Sequence, residues 1–305
     1  MEPKLSIIIV TFNVRDLTQN CLNSLKNLAI PAKIIVSDNG SSDGTVEMVK
    51  KEFPNVLLLD NKTNLGFAKG NNKARKYCKG NYVLMLNPDT VVPENTIEKC
   101  IEYMDANANI GALTCKIELW NGGLDKDCRR SFPTPWVALT HFTFLDRLFP
   151  KIKLFSKYWY SYLSEDEIHE IDVPQGAFCL VRKAVMDKVG WYDENYFLDG
   201  EDIDLAYKIK QLGYKIIYYP KVKIIHYKGA AKGKKGSGRE DQVTPELRRV
   251  VISSGVESMK IFYKKHYLKK YPWIVNKIVF VGIDIIKRIR LINFDISSLM
   301  SKVKS

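Results

Sequence analysis

The sequence has few of the features that mark metal-cluster, secreted or membrane-spanning proteins. Its six cysteines form no Cys-x-x-Cys pair, and its four histidines are not adjacent to them, which argues against a zinc cluster. Scattered thiols are typical of reduced, buried cysteines in a cytosolic protein. No apolar run approaches the roughly 20 residues that a spanning helix needs, and the N-terminus carries no basic and apolar leader. We therefore expect a cytoplasmic protein that crosses no membrane.

The composition is that of a chain that can bury a large core. Of 305 residues, 46% are apolar and 27% are charged, which excludes a disordered protein and a small disulfide-stapled one. The net charge of +13 is unevenly distributed: residues 1–204 carry 24 basic and 28 acidic side chains, whereas residues 205–305 carry 23 and 6. The sequence therefore describes a mildly acidic body and a strongly basic last third.

Strand and helix signals alternate over the first 110 residues, which is typical of a doubly wound parallel sheet. We expect strands near residues 5–10, 33–37, 55–60 and 82–86, each followed by a helix. Residues 121–173 lose this regularity and indicate a long excursion over the ligand site, at the carboxyl ends of the strands. Later segments are expected as strands at 178–182 and 215–219, helices at 183–189, 202–212, 245–265 and 273–292, and a basic loop at 229–239.

Polar clusters follow the first four predicted strands, the first at residues 10–13 and the third at residues 64–72. Asp38 closes the second strand, where a carboxylate can accept hydrogen bonds from a nucleobase or a ribose hydroxyl. A tight turn that caps the next helix explains this segment equally well. Asn87 and Asp89 flank a proline after the fourth strand, and their oxygens suit Mg²⁺ or Mn²⁺ on a diphosphate. An Asx-Pro turn is the ordinary alternative there.

Three further features carry chemical signals. Gly66 and Gly70 open a helix whose backbone amides suit an anion, although close packing explains two glycines as well. Four carboxylates crowd into residues 199–204, where they suit the dipole of a helix start. Because crowding raises the pKa of a carboxylate, this density favours a general base. His226 follows an apolar strand and is either a packed histidine or a partner of Asp89 in a metal site.

In this order the segments resemble a family 2 glycosyltransferase of the GT-A fold, in its rhamnosyltransferase-like branch. The resemblance covers residues 4–230 and rests on five ordered motifs. These are Val10-Thr11-Phe12-Asn13, Asp38-Asn39-Gly40-Ser41-Ser42-Asp43, Asn64-Leu65-Gly66-Phe67-Ala68, Asn87-Pro88-Asp89 and Glu201-Asp202, the last preceded by Gln175-Gly176-Ala177-Phe178 and Gly190-Trp191-Tyr192-Asp193-Glu194. Asn87 replaces the first carboxylate of the family's metal-binding motif, so Asp89 is the one certain carboxylate ligand.

The resemblance implies an α/β fold with a mostly parallel central sheet, and an inverting transfer from a nucleotide-sugar. The donor would be dTDP-L-rhamnose first and a UDP-hexose second, and the acceptor a lipid-linked or growing cell-surface glycan. Asp202, beside Glu201, would be the general base, and Asp89 with His226 would hold Mg²⁺ or Mn²⁺. The donor-binding residues would be Thr11, Phe12, Asn13, Asp38, Asn39, Gly66, Asn71 and Asn87. The acceptor contacts would be Gln175, Gly176, Trp191, Arg129 and Arg130, with the arginines facing a lipid diphosphate.

The resemblance divides the chain into a catalytic domain, residues 1–240, and a basic helical tail, residues 241–305. The domain's halves, 1–110 and 111–240, would bind nucleotide and acceptor. The last helix places apolar residues on one face and Lys277, Asp284 and Arg288 on the opposite one, and residues 263–273 interleave aromatics with lysines. These patterns favour an anionic membrane surface, on the inner face of the cell membrane, over packing on the body or on a second subunit. A homo-oligomer stays open.

Other classes of protein compete with this interpretation. A nucleic-acid-binding protein would use the basic tail, but the carboxylates at the strand ends argue against phosphate contact, so we expect no nucleic-acid partner. The asparagine at position 87 keeps open a catalytically silent scaffold on the membrane. A nucleotidyltransferase would need a Gly-rich, basic triphosphate loop near its N-terminus, which the sequence lacks.

Overall fold

A computed structural model describes residues 2–229 and 245–304, with side chains at 2–229 and 249–296. Apart from Gly229, the expected basic loop at 229–239 lies outside the described residues. One mixed sheet of nine strands organises the body, in the order β3-β2-β1-β4-β8-β6-β9-β5, with β7 paired to β9. The sheet takes strands from both halves of the expected catalytic domain. The six cysteines are free and buried, as their scattered positions predict.

The first half of the sheet is parallel, as its alternating pattern predicts. Its strands are β1 (Leu5–Thr11), β2 (Ala32–Asp38), β3 (Leu57–Asp60) and β4 (Tyr82–Leu86), and its helices are α1 (Arg15–Ser24), α2 (Thr45–Glu52), α3 (Gly66–Ala74) and α4 (Thr96–Asp105). Every residue of β1 and β4 is buried, which explains their unbroken apolar runs. Thr11 is opposite Asp38, and Asp38 is opposite Asp60, so three strands end at one edge.

The second half of the sheet is mixed, whereas the resemblance implies a mostly parallel one. It contains β5 (Thr90–Val91), β6 (Ile110–Leu119), β7 (His169–Ile171), β8 (Phe178–Arg182) and β9 (Lys215–His226). The excursion returns the chain to the carboxyl end of β4, where Phe178 pairs with Leu86, so β8 runs antiparallel to β4. The strands β5 and β7 are antiparallel to β9 as well. The α/β fold is confirmed, and the three strands β5, β6 and β7 are additions to the sequence prediction.

Seven further helices lie in the excursion and after it. In the excursion they are α5 (Pro135–Phe142), α6 (Leu145–Leu148) and α7 (Lys153–Ser156); they are followed by α8 (Lys183–Lys188), α9 (Glu201–Gln211), α10 (Pro245–His266) and α11 (Trp273–Lys304). The helix α10 packs on α9 through an aromatic cluster that includes Tyr196, Tyr207 and Phe262. Within residues 2–229 and 245–304, no helix has both the length and the apolarity to cross a membrane.

The last helix leaves its apolar face uncovered. We define the α11 stripe by side chains that are each at least 49% exposed, namely Ile274, Ile278, Val281, Ile285, Ile289, Ile292 and Ile296. The opposite face packs on α10, since Tyr263 donates to Asn276 (2.7 Å) and stacks edge-on against Phe280. Of the three charged residues expected on that opposite face, Asp284 pairs with Lys260 of α10 at 2.6 Å, whereas Lys277 and Arg288 are exposed.

Candidate functional site

The carboxyl edge of β1 and β2 is built from buried polar side chains. The carboxylate of Asp38 accepts hydrogen bonds from the amides of Gly40 (2.9 Å) and Ser41 (2.8 Å) and from the Ser41 hydroxyl (2.6 Å). The tight turn, which was the alternative explanation of this segment, is therefore present, and donor binding by Asp38 stays a prediction. The hydroxyl of Thr11 is buried against that of Thr18, at 2.8 Å.

Asn39 fastens the third motif to this edge, and Asn71 forms a hydrogen bond within α3. Asn39 is buried and donates to the carbonyl of Gly66 (3.1 Å), while its own Oδ1 accepts from Asn61 (3.2 Å). Asn71 is buried in α3 and donates to the carbonyl of Phe67 at 2.9 Å. The side chains of Thr11 and Asn39 are thus hydrogen-bonded inside the protein, whereas Oδ1 of Asn71 is buried without a hydrogen-bond partner among the described residues. Donor binding by these three residues stays a prediction. Phe12, Asn13 and Asn87 are partly exposed at the same edge.

Gly66 allows the third motif to touch the segment that leads to Asp202. Its φ is +80°, and a Cβ at this position would lie 2.3 Å from the carbonyl oxygen of Phe197. The next amide, that of Phe67, donates to the same carbonyl at 2.9 Å. Of the two explanations for the glycines, close packing is therefore the one that the structure supports.

Gly66→Ala should destabilise the fold beyond the cost of its left-handed backbone. Gly122 has a φ of +91°, and a Cβ added there would have nothing within 4 Å, so Gly122→Ala is the matched control. The left-handed conformation costs about 1–2 kcal/mol in both variants. The clash with Phe197 should add about 1–3 kcal/mol in the first alone. Urea unfolding measures the difference, and equal losses for the two variants would contradict the contact.

Asp89 and His226 meet in the interior of the same region. The pairing of β5 with β9 sets His226 opposite Thr90, next to Asp89 in the chain. The Nε2 atom of His226 lies 3.3 Å from Oδ1 of Asp89, and both side chains are at least 96% buried. That Oδ1 atom accepts no hydrogen bond from any residue that the structure describes.

A second carboxylate, Asp125, orients the histidine, although no sequence motif had singled it out. Its Oδ2 lies 3.0 Å from Nδ1 of His226, and Lys228 bonds its other oxygen. Burial lowers the pKa of His226, but the hydrogen bond to Asp125 and the charge of Asp89 outweigh it and raise the pKa to about 9. Lys228 also bonds Asp127 at 2.6 Å. The Asp-x-Asp spacing of Asp125 and Asp127 is a feature of the sequence that could have drawn attention to Asp125. No local pattern, however, connects Asp125 to His226, which lies 101 residues away.

Asp89 and His226 fit a divalent cation. The carboxylate oxygen and the imidazole nitrogen facing it are both ligand types that Mn²⁺ accepts, once the cation displaces the proton of that nitrogen. A carboxylate on the other ring nitrogen, as Asp125 provides here, commonly fixes the orientation of a metal-binding histidine. Within the described parts of the chain, no group of three or more His, Cys, Asp or Glu side chains could hold a metal ion. The protein would thus supply two ligands, and a bound diphosphate others, as is common for Mg²⁺.

Asp202 lies in the first turn of α9 and forms an ion pair with Arg130. The carboxylate accepts from Nη2 of Arg130 through one oxygen and from the amide of Ile203 (2.8 Å) through the other. Burial lowers the pKa of Arg130, but the charge of Asp202 reverses this and raises it. Arg130 also donates to the carbonyls of Asp127 (3.0 Å) and Pro174 (3.2 Å). The guanidinium thus connects the base candidate to the network around His226.

The two acidic residues of the last motif differ in accessibility. The Asp202 side chain is 14% exposed, whereas Glu201 is a buried residue. The segment before them is held by α10. The hydroxyl of Ser254 accepts a hydrogen bond from the amide of Leu198 (3.2 Å) and donates one to the carbonyl of the same residue (3.1 Å). The tail helix α10 therefore supports the segment that carries Asp202.

Two of the expected acceptor contacts are wrong. Trp191 is fully buried, with Nε1 donating to Asp187 at 2.9 Å. Arg129 is also buried and donates to the carbonyls of Leu163 (3.3 Å) and Ser164 (2.9 Å). Both side chains are used inside the fold, so neither has a surface to offer an acceptor. Gln175 and Gly176 are partly exposed beside Phe67, and their acceptor role stays a prediction.

Comparisons with known proteins agree with this arrangement. A family model for glycosyl transferase family 2 matches residues 6–190. The chain is 26% identical over 247 residues to the N-acetylglucosaminyl-diphospho-decaprenol L-rhamnosyltransferase of Mycobacterium tuberculosis, covering 77% of this chain and 79% of that protein. It is 29% identical over 231 residues to the rhamnosyltransferase WbbL of Escherichia coli, covering 72% and 82%.

Solved structures share the fold at lower identity. The mannosyltransferase PcManGT of Pyrobaculum calidifontis, in complex with GDP-Man and Mn²⁺, superposes with a TM-score of 0.53 at 15% identity, covering 95% of this chain and 87% of that one. TarS of S. aureus superposes with a TM-score of 0.52 at 18% identity, covering 82% and 65%. The fold is therefore GT-A. Because the family model matches more than half of the residues, the chain belongs to glycosyl transferase family 2 and is a glycosyltransferase.

Proposed function

We propose that the protein is an inverting, metal-dependent glycosyltransferase in which Asp202 is the general base. The observation that carries this proposal is the convergence of two chemical sites through one network. Arg130 joins Asp202 to the backbone of Asp127, and Lys228 joins the side chain of Asp127 to Asp125, which orients His226. The candidate proton acceptor, Asp202, and the candidate metal ligands, Asp89 and His226, thus belong to one connected site. The long-range hydrogen bonds of this network join residues that are 72 to 103 positions apart in the sequence.

The reaction is a single displacement at the anomeric carbon. The oxygen of the acceptor hydroxyl bonds to that carbon from the face opposite the diphosphate, so the configuration inverts. The bond from the carbon to the diphosphate oxygen breaks, and the nucleoside diphosphate leaves with its electron pair. The hydroxyl proton passes to the carboxylate of Asp202.

Asp202 is suited to this task by its surroundings. A carboxylate has about four acceptor positions, so the bonds from Arg130 and from the amide of Ile203 leave capacity for a substrate hydroxyl. The ion pair fixes the direction in which the carboxylate points. Burial of Glu201 leaves Asp202 as the base of the pair.

Asp89 and His226 are the residues that would hold Mg²⁺ or Mn²⁺. When bound, the cation neutralises negative charge that the departing diphosphate gains. The Asp125 hydrogen bond keeps the ring of His226 turned toward Asp89. Phe12, Asn13, Asp38 and Asn87 lie at the same strand edge as donor-binding candidates.

The named relatives support a choice of substrates. Two of them are rhamnosyltransferases, which supports dTDP-L-rhamnose as the first donor, with a UDP-hexose second. The mycobacterial name includes a lipid diphosphate, which supports a lipid-linked or growing cell-surface glycan as acceptor. The catalytic domain would end near residue 240. The tail, residues 241–305, would place the α11 stripe on an anionic membrane at the inner face of the cell membrane, because seven exposed apolar side chains run along one face.

A donor panel tests the proposal. Thermal unfolding is followed with dTDP-L-rhamnose, UDP-hexoses and GDP-mannose, each with and without Mn²⁺, and product is measured on a synthetic prenyl-diphosphate sugar. A donor at 100 times its Kd should stabilise the protein by about 2.7 kcal/mol. We expect dTDP-L-rhamnose with Mn²⁺ to give the largest shift and to yield product. If no donor shifts the unfolding temperature or yields product, the result would instead favour a catalytically silent scaffold.

A further inference from the structure

The short helices of the excursion display an exposed apolar surface apart from the α11 stripe. We define the α5–α7 surface by six large apolar side chains, each at least 45% exposed, namely Trp136, Leu139, Phe144, Leu148, Ile152 and Leu154. Single exposed apolar residues are ordinary on proteins. Six between positions 136 and 154 form a patch of the kind that marks a docking site.

This surface belongs to an ordered unit. The indole of Trp136 donates to the carbonyl of Leu154 at 2.9 Å, which ties α5 to α7. Phe155 packs beneath, with ring centroids 6.3 Å from Trp136 and 5.3 Å from Phe149. Thr134 caps α5 by accepting from the amide of Val137 at 3.3 Å. The apolar side chains are therefore exposed by a fold that already has its own interior contacts.

The exposed charges within this segment have one sign. Arg147, Lys151 and Lys153 are exposed among the apolar residues. Asp146 is the single acidic residue between positions 130 and 165, and it is buried with its carboxylate 2.8 Å from Nδ1 of His141. The segment thus presents apolar side chains together with cationic ones, which complements the headgroups of anionic lipids.

The unit also lies against the catalytic network. His141 stacks on Tyr158, with ring centroids 4.2 Å apart. The carbonyl of Tyr158 accepts from the amide of Ser131 at 2.8 Å, directly after Arg130. Trp159 donates to Asp127 at 3.3 Å. A ligand on the α5–α7 surface would therefore sit on the unit that supports the arginine of the Arg130–Asp202 pair.

We propose that the α5–α7 surface docks on the headgroup region of an anionic lipid bilayer. A second copy of the chain is disfavoured as the occupant, because a two-fold interface would bring Arg147, Lys151 and Lys153 of both copies together. The inference rests on the proposed function in one respect: a lipid-linked acceptor presents its reacting hydroxyl close to a membrane surface. The bilayer contact would then hold the Arg130–Asp202 site near that hydroxyl.

A site-specific label tests the contact apart from the α11 stripe. All six native cysteines are buried, so Leu148→Cys in the full chain can be labelled selectively with an environment-sensitive fluorophore. Vesicles of equal parts phosphatidylglycerol and phosphatidylcholine should shift its emission to shorter wavelength. The matched control is Leu212→Cys, at an exposed leucine just after α9, and its emission should stay unchanged. Vesicle binding without a shift at position 148 would overturn the proposal, as would a shift that follows protein concentration without lipid.

A partition measurement gives the size of the effect. Leu148→Ser with Leu154→Ser should weaken flotation with these vesicles by about tenfold, because two exposed apolar contacts are lost. Ile168→Ser with Leu212→Ser replaces two exposed apolar residues elsewhere and should change it little. Equal partitioning of the two double variants would overturn the proposal. These readouts use no nucleotide-sugar, so they succeed or fail independently of the donor panel.

Discussion

Asp202→Asn should lower kcat for sugar transfer by about 10²–10⁴-fold, the usual contribution of a general base. Asparagine has nearly the same size and still offers an oxygen to Arg130, but it cannot take the proton of the acceptor hydroxyl. Donor affinity should stay close to that of the parent, because Asp202 acts on the acceptor. Initial rates at saturating donor and acceptor, with donor Kd by calorimetry, separate the two quantities.

The control for this variant is Glu194→Gln. Glu194 is an exposed carboxylate on the stretch that leads to α9, and it accepts from Asn72 at 3.0 Å, a bond that glutamine keeps. Its replacement should leave kcat within about twofold of the parent, as is usual for surface changes. Thermal unfolding of both variants checks that the fold persists around Arg130. Transfer by Asp202→Asn at the control's rate would rule out Asp202 as the base.

Asp89→Asn should remove the dependence of donor binding on Mn²⁺ and lower transfer by about 10²–10³-fold, since metal stabilisation of a leaving group contributes several kcal/mol. The amide is a weaker ligand for a hard cation than the carboxylate it replaces. Calorimetric titration of the donor with and without Mn²⁺ measures the change directly. We expect the Mn²⁺-dependent part of the affinity to disappear, with the metal-free part little altered.

The comparison for Asp89 is Asp60→Asn. Asp60 also ends a parallel strand, β3, but its carboxylate pairs with the exposed side chain of Lys62. This replacement should leave the Mn²⁺ dependence intact. If both variants keep that dependence, Asp89 is not a metal ligand and the site for the cation lies elsewhere.

The tail is structurally bound to the catalytic segment, which affects how truncations should be interpreted. The buried carboxylate of Asp204, two residues after Asp202, lies 2.6 Å from Nε2 of His266 and 2.8 Å from Nζ of Lys265. Ser254 holds Leu198 on the other side of Asp202. Removing α10 would expose Asp204 and release Leu198, so point variants in the α11 stripe are the better test of membrane attachment.

Much of the site could be located from the sequence because its signals are local. Asp38 and Asp89 each follow an apolar run of strand length, and parallel strands bring such ends to one edge. Asp202 stands out by the density of carboxylates around it. The burial of Trp191, Asn39 and Asn71 could not be predicted because a motif gives residue identity but not burial. The internal hydrogen bonds of all three depend on packing that no local pattern encodes.

By itself, the sequence determined the parallel half of the sheet, the amphipathic last helix and the division of charge between body and tail. Each of these follows from periodicity or composition within a short window, so it can be predicted without knowing the fold. Only the tertiary structure decided that β8 runs antiparallel, that Arg130 pairs with Asp202 and that Asp125 orients His226. These pairings join residues 72 and 101 positions apart. Chain topology, rather than local propensity, brings such residues within hydrogen-bond distance.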